Sequence, residues 1–349
     1  MRRVTTLAAA FCAAALVLTS CGGGDDDTAT TPKADTSSSE ASEIKVGLAY
    51  DIGGRGDQSF NDAAAAGLDK AADEFGVETN EAEAGNGEAE SAKEERLRAL
   101  ASAGFNPVLA VGFSYSASVA KVAKELPDTQ FAIIDDAAAV GDNIANLLFA
   151  EEQGSFLVGA AAALKSKSGN VGFIGGVDVP LIHKFEAGFQ AGAEAVNPDV
   201  EVQITYLTQP PDFSGFGDPA KGKTAAAGMF DAGADVVYRA AGGSGGGVFE
   251  AAMDAGAFAI GVDSDQYNSA DPAVQDVIIT SMLKKVDVAV YDFIKSVVDG
   301  NFTAGTVTYD LEKDGVGYST SGGQVDDITD KLEEFKTQII AGDITVPTE

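Results

Sequence analysis

IKVGLAYDIGGRGDQSFNDAAAAGLDKAADEFG, residues 44–76, decides how this chain folds. IKVGLAY (44–50) is a short apolar run, which suits a strand covered on both faces. Residues 61–75 are alanine-rich and stop at Gly76, the pattern of a helix closed by glycine. Between them lies a loop, DIGGRGDQSFND (51–62), with three glycines and a lone aromatic-amide pair, Phe60-Asn61. A strand that passes through a glycine-rich loop into a helix is one βα unit, and successive units build parallel sheets.

The alternation continues outward from this unit. VETNEAE reads as a second strand, 87–103 as a charged helix, and PVLAVG (107–112) and FAIID (131–135) as strands around a helix at 115–126. NIANLLFA (143–150) closes a first set. The pattern then restarts with an apolar helix at 151–165, strand 169–176, helix 181–196, strand 200–207, helix 219–233 and strand 234–242. Helix 245–255, strands 257–263 and 277–283 and helix 284–299 follow, and the tail from Val307 holds a short strand, turns and a last helix at 325–341. Two consecutive sets predict an α/β protein of two doubly wound parallel-sheet lobes. In such sheets ligands sit at the carboxyl ends of the strands. The loops after 50, 112, 135, 176, 207, 242 and 263 are therefore where a site is sought.

The first residues read as targeting rather than fold. MRRVTTLAAAFCAAALVLTSC has Arg2 and Arg3, an apolar run from Leu7 to Leu18, then Leu18-Thr19-Ser20-Cys21. This is the pattern of a secretory leader over 1–20, too short to span a membrane durably. Its ending resembles a bacterial lipobox, which implies a diacylated Cys21 as the first mature residue. Residues 21–43 continue without a large apolar side chain and read as a disordered tether. As a flexible coil it would reach about 26 Å r.m.s..

Removing Arg2 and Arg3 with the leader takes 23 basic residues to 21, against 54 acidic ones, a net of −33. Nucleic acid is a poor partner for such a surface. Cys12 lies in the leader, so the mature domain has no disulfide, thiol nucleophile or cysteine metal site to offer.

Several motifs invite chemistry and are better read as structure. GDPAKGKT (217–224) satisfies the phosphate-loop spacing, but QPPDFSGF before it is not a strand and Pro219 removes an amide from the cradle. Pro219 suits the first turn of a helix instead. Arg55-Gly56-Asp57 is a tripeptide common by chance. DSDQ (263–266) begins like a calcium loop, yet Tyr267 and Asn268 stand where an oxygen ligand and a glycine are needed. His183 reads as a helix-face residue. No triad or paired acid-base signature appears, so neither catalysis, a metal nor a cofactor is expected.

What remains suits a neutral ring. Phe60 and Phe216 lie in ligand-side loops of different lobes and offer stacking faces. Asn61 can both donate and accept. Asp135 and Asp263 end strands and can accept from ring N–H groups or a vicinal diol. Lys284 or Lys285 can donate.

These blocks, with GRGDQSFND, FAIIDD, EEQGSFLVGAAAAL, IHKFEAGFQAG, GADVVYRAAGGSGGGVFEAA, IGVDSDQ and SMLKKVDVAV, resemble the basic membrane protein family of substrate-binding lipoproteins over 44–342. That family includes bacterial purine nucleoside receptors. The resemblance implies a type I periplasmic-binding-protein fold with a three-crossing hinge, feeding an ABC importer. By match to the family's blocks, Phe60 and Phe216 would sandwich a base. QPPDFSGF is longer than usual before its aromatic, which leaves Phe213 as an alternative to Phe216. Asn61 and Asp135 would bond the base edge, and Asp263, Gly243 and Lys284 the ribose, with Asp51 a further candidate.

The expected protein is a monomeric, lipid-anchored receptor on the extracytoplasmic face of a bacterial cell membrane. It would hand a nucleoside, a purine one by the family's receptors, to a permease driven by an ATPase. The alternatives are a sugar or other small polar ligand on the same fold, a nucleoside-cleaving enzyme, or a ligand sensor without transport. The expected lobes are 44–146 with about 264–300, and 147–263 with about 301–345.

Overall fold

The computed structural model describes residues 44–85 and 87–349. The expected leader (1–20), tether (21–43) and Cys21 lie outside the described residues. Among those described, no helix is long and apolar enough to cross a membrane.

The first half alternates β1 (Lys45–Ala49), α1 (Phe60–Phe75), β2 (Glu78–Ala82), α2 (Glu90–Ser102), β3 (Val108–Ala110), α3 (Ser116–Glu125), β4 (Phe131–Ile134) and β5 (Ile144–Phe149). The second continues with α4 (Glu151–Lys165), β6 (Asn170–Val177), α5 (Pro180–Val196), β7 (Glu201–Thr208), α6 (Pro219–Asp231), β8 (Val236–Ala240), α7 (Gly245–Ala255) and β9 (Phe258–Asp263). A closing segment holds α8 (Gln266–Ser269), β10 (Ile278–Lys284), α9 (Val286–Val298), β11 (Gly305–Tyr309), β12 (Val316–Tyr318) and α10 (Thr329–Ile340).

The strands form two six-stranded sheets, β11-β5-β4-β3-β1-β2 and β12-β10-β9-β8-β6-β7. Among the described strands every pairing is parallel except β10 with β12. The central strands are buried on both faces, β3, β4, β6 and β8 from end to end, as their continuous apolar runs require. The architecture is that of a type I periplasmic-binding protein, with the two orders matching strand for strand: β1 with β6, β3 with β8, β4 with β9, β5 with β10.

The chain passes between lobes three times, after β5, after β10 and after β11. The expected boundaries need correction here. The segment 264–300 is expected in the first lobe, but β10 pairs with β9 and belongs to the second sheet. The segment 301–345 is expected in the second, but β11 pairs with β5 in the first. Only α9, packed on α1, joins the first lobe from the segment 264–300. The reason is physical: a strand buried in either sheet carries the same apolar pattern, so the pattern does not say which sheet it enters.

One packing contact positions the site. α4 and α5 lie in near backbone contact, since a Cβ at Gly188 or Gly192 would fall 2.2 Å from Glu152 O or 1.9 Å from Phe156 O. This holds the first turns of α4 against the middle of α5.

Candidate functional site

The carboxyl ends of both sheets face one cleft, with about 580 Å³ of atom-free space including its mouth. Seven of the eight expected ligand residues line it: Asp51, Phe60, Asn61, Asp135, Phe216, Asp263 and Lys284. The eighth, Gly243, does not; its neighbour Gly242 takes that place. The matching strands β4 and β9 deliver Asp135 and Asp263 in the same way. Each follows or ends its strand in the left-handed region, at φ 65° and 64°. Aspartate tolerates this conformation better than most residues, and such strain clusters at ligand sites.

In the first lobe, the 51–62 loop is built around two side chains. Asp57 Oδ1 accepts from the Ser59 and Asp62 amides, and its Oδ2 from the Asn61 amide and Asn61 Nδ2. It thereby satisfies the orphan donors at the start of α1. Asn61 Oδ1 accepts from the Asp51 amide at 3.0 Å, while its Nδ2 reaches Asp57 and Ile52 O. The amide expected to read a base edge thus ties the loop to itself, although Asn61 still lines the cleft. Asp51 accepts from Ser114 Oγ and its neighbour's amide, both at 2.8 Å. Burial raises the pKa of Asp51 and Asp57 despite these donors. Arg55, the first residue of the Arg-Gly-Asp tripeptide, pairs with Glu81 and Asp69 on its own lobe.

A buried ion network sits where two crossings meet the cleft. Lys284, 2% exposed, lies 2.5 Å from Asp135 Oδ2 and 3.2 Å from Glu151 Oε1. Lys184 reaches the other oxygen of Glu151 at 3.2 Å. The Lys284 ammonium also lies 5.0 Å from the Phe60 ring centroid and 5.5 Å from that of Phe185. Burial works against this ammonium, but Asp135, Glu151 and Asp263 outweigh it and hold it charged. With several carboxylates sharing it, burial pushes the Asp135 carboxyl up to about 7, helped by the charge of Glu151. Asp135 Oδ1 is buried and has no partner among the described residues. A buried acceptor left open is costly unless something donates to it.

In the second lobe, Phe216 lies over the backbone of β6. A Cβ at Gly176 would fall 2.4 Å from Phe216 Cδ1. Phe213, the expected alternative, is not on the cleft wall. Its ring meets Phe113 of the first lobe, with centroids 6.2 Å apart. Leu181, Ile182 and Phe185, on the first turns of α5, line the cleft opposite Phe60 and were missed from sequence. Their signal was available: they begin a helix directly after a ligand-side strand end, on its apolar side.

Direct bonds join the lobes. Ser59 Oγ donates to Asp263 Oδ2 at 2.6 Å, and Gln266 Nε2 and Ser264 Oγ donate to Gln58 O, each at 2.9 Å. The phosphate-loop match is structural: Asp218 caps α6 by accepting from the Lys221 amide, and Lys223 pairs with Glu250 and Asp254. His183 stands on α5 with Nε2 2.7 Å from Asp178.

A family model described as ABC transporter substrate-binding protein PnrA-like (Bmp) matches residues 44–349. The ABC transporter nucleoside-binding protein BmpA of Lactococcus lactis is 34% identical over 334 residues, spanning 90% of this chain and 92% of that one. An uncharacterized lipoprotein of Pyrococcus abyssi is 34% identical over 294 residues, 81% of this chain and 70% of that one. Among solved structures, a solute-binding protein of an ABC transporter system from Aeropyrum pernix K1 superposes with a TM-score of 0.76 at 33% identity. It covers 88% of this chain and 94% of that one.

Proposed function

The chain belongs to the Bmp family of PnrA-like ABC transporter substrate-binding proteins, and from that premise we propose that its cleft closes on a purine nucleoside. It is a binding protein for an ABC transporter and not an enzyme. The observation that carries the nucleoside reading is the composition of the walls: one phenyl ring from each lobe, Phe60 and Phe216, beside a buried carboxylate oxygen, Asp135 Oδ1, that lacks a donor. A flat uncharged heterocycle with a ring N–H satisfies all three. Stacking contributes on the order of 1–3 kcal/mol per base, and the open acceptor is satisfied. The nucleoside-binding relative supports the same ligand class.

Closure is then a shift in a hinge equilibrium, since the two rings belong to different lobes and only the closed form offers both. Asp263 and the Gly242–Ser244 turn face the sugar. Asp51 and Asn61 set the first-lobe wall. Lys284 serves from beneath Phe60 through Asp135. Cys21 carries the lipid anchor, and the receptor serves a permease and ATPase from the extracytoplasmic face of the membrane. The lipobox-like leader and the lipoprotein relative support this placement.

Native mass spectrometry of protein purified without refolding tests the ligand. A retained mass equal to a nucleoside, exchangeable by added inosine or guanosine, is expected. A retained sugar, or no response to any nucleoside in calorimetry, would overturn the nucleoside reading and leave the transport role standing.

A further inference from the structure

Arg239, on β8, is among the largest side chains that the fold buries completely, at 1% exposure. It is not on the cleft wall, and nothing in the site as described uses it. Its Nη1 donates to Gly242 O at 2.8 Å, while its Nε has no partner among the described residues. Its guanidinium lies 5.1 Å from the Phe249 ring centroid and flat against the start of α7. A Cβ at Gly245 would fall 2.1 Å from Nε and 2.2 Å from Cζ. Burial pulls its pKa down to about 10, resisted by the charges of Asp263 and then Asp57, so it stays charged at neutral pH. A buried charge is costly, and the cost is tolerated where the charge has work to do.

Its place shows what that work is. The Gly242–Ser244 turn joins β8 to α7 and presents Gly242, at φ 53°, to the cleft. Ser244 Oγ donates to Gly215 O and accepts from the Asp218 amide, which ties the turn to the loop that carries Phe216. Arg239 holds the same turn from beneath through Gly242 O. The two carboxylates whose charges it feels, Asp57 and Asp263, line the cleft from opposite lobes. They repel each other across it.

We propose that Arg239 is a positioning residue for the sugar side of the cleft: it fixes the Gly242–Ser244 turn from beneath through Gly242 O. It does so without touching ligand. The proposal rests on the nucleoside reading, and its experiment separates the two. Inosine and 2′,3′-dideoxyinosine, which lacks the diol, are titrated calorimetrically into the wild type, Arg239→Met, Gly245→Ala and the double variant. Gly245→Ala keeps the charge and displaces the guanidinium, so it serves if Arg239→Met does not fold; melting curves establish folding for each.

The wild type should prefer inosine by about tenfold or more, the effect of hydrogen bonds to a charged group. Each single variant should weaken inosine by about tenfold or more and dideoxyinosine by no more than about twofold, and the double should lose no more than the worse single, because both remove one contact. Equal weakening of both ligands, an unchanged inosine preference, or losses that multiply in the double would overturn the role of Arg239. A wild type that binds both ligands equally also overturns it, and leaves the nucleoside reading intact. A wild type that binds neither overturns the nucleoside reading itself.

Discussion

Replacing Gly176 by alanine adds one methyl group that cannot reach a ligand, yet it should impair binding. The added Cβ would lie 2.4 Å from Phe216 Cδ1 and 2.6 Å from Cε1, and 3.2 Å from Ala241 Cα. Carbon atoms in contact sit about 3.5–4.0 Å apart, so the ring must retreat by about 1 Å. The strand backbone behind it is buried in the middle of the second sheet, between β7 and β8, so the ring gives way toward the cleft. There it takes space that a stacked base needs. The loss is bounded by one base–aromatic stack, on the order of 1–3 kcal/mol, which is about 5- to 150-fold in Kd. Overpacking should also cost about 1–3 kcal/mol of stability. Calorimetry with inosine and urea unfolding measure the two effects. Phe216→Ala should lose a similar share of affinity, and in that background Gly176→Ala should cost little stability, because the ring it strikes is gone. Wild-type affinity in Gly176→Ala, with the ring displaced into the cleft in a crystal structure, would refute the claim that Phe216 is one face of the site.

Lys284→Met should destabilise the fold by about 3–5 kcal/mol, because it leaves Asp135 buried without its cation and Glu151 with Lys184 alone; a loss below about 1 kcal/mol in urea unfolding would show that the network contributes little. Nucleoside affinity should rise with pH and level off near 7, since the Asp135 carboxyl is held up to about 7 by burial and accepts from a ring N–H best when ionised. Below that pH the slope approaches about tenfold per unit, with proton release on binding; a flat profile between about pH 5.5 and 8 would show that ionisation of Asp135 is not coupled to binding. The same group makes the unliganded protein less stable as pH rises from about 4 to about 7, because its folded pKa exceeds its unfolded one. Asp57→Ala removes four donors' acceptor at the start of α1 and should cost about 0.5–2 kcal/mol. Arg55→Ala, which breaks only exposed pairs, should change stability by no more than about 1 kcal/mol in the same assay and leave inosine binding unaltered.

Most of the fold was legible because its signals are local. The helix at 151–165 falls where its apolar run puts it, and the one at 245–255 where its flanking glycines do. The strand ends that face the cleft follow from the same reading, which is why Phe60, Asp135, Phe216 and Asp263 could be named. What was not legible depends on tertiary geometry. The sheet that β10 joins is set by pairing with β9, which no local pattern encodes. The engagement of Asn61 within its own loop needs Asp57 and Asp51 in three dimensions. Arg239 reads as an interruption in an apolar strand, and only the absent side chain at Gly245 reveals the slot that accepts it. Glu151 reads as the start of a helix, and its role beside Lys284 appears only when two crossings come together.

The charge of the cleft argues for a nucleoside over a nucleotide. Among the described residues, four that line it are aspartates, Asp51, Asp57, Asp135 and Asp263, and the one lining cation is Lys284. That cation is already held by Asp135 and Glu151, so a phosphate entering the cleft would meet carboxylates and, among the described lining residues, no unpaired cation. At about 5 Å and an effective dielectric near 20, each like-charge pair costs about 3 kcal/mol. One such pair is enough for a preference of about 100-fold against a monophosphate. Hydroxyls and ring N–H groups are donors, and a carboxylate-rich wall receives them without that penalty. The neutral parent should therefore bind at least about 100-fold more tightly than its 5′-monophosphate, and the gap should narrow in high salt only as far as a buried site permits. Equal binding of inosine and its monophosphate would mean that the phosphate stays in solvent, and the ligand would then enter the cleft base first with its 5′ carbon at the mouth.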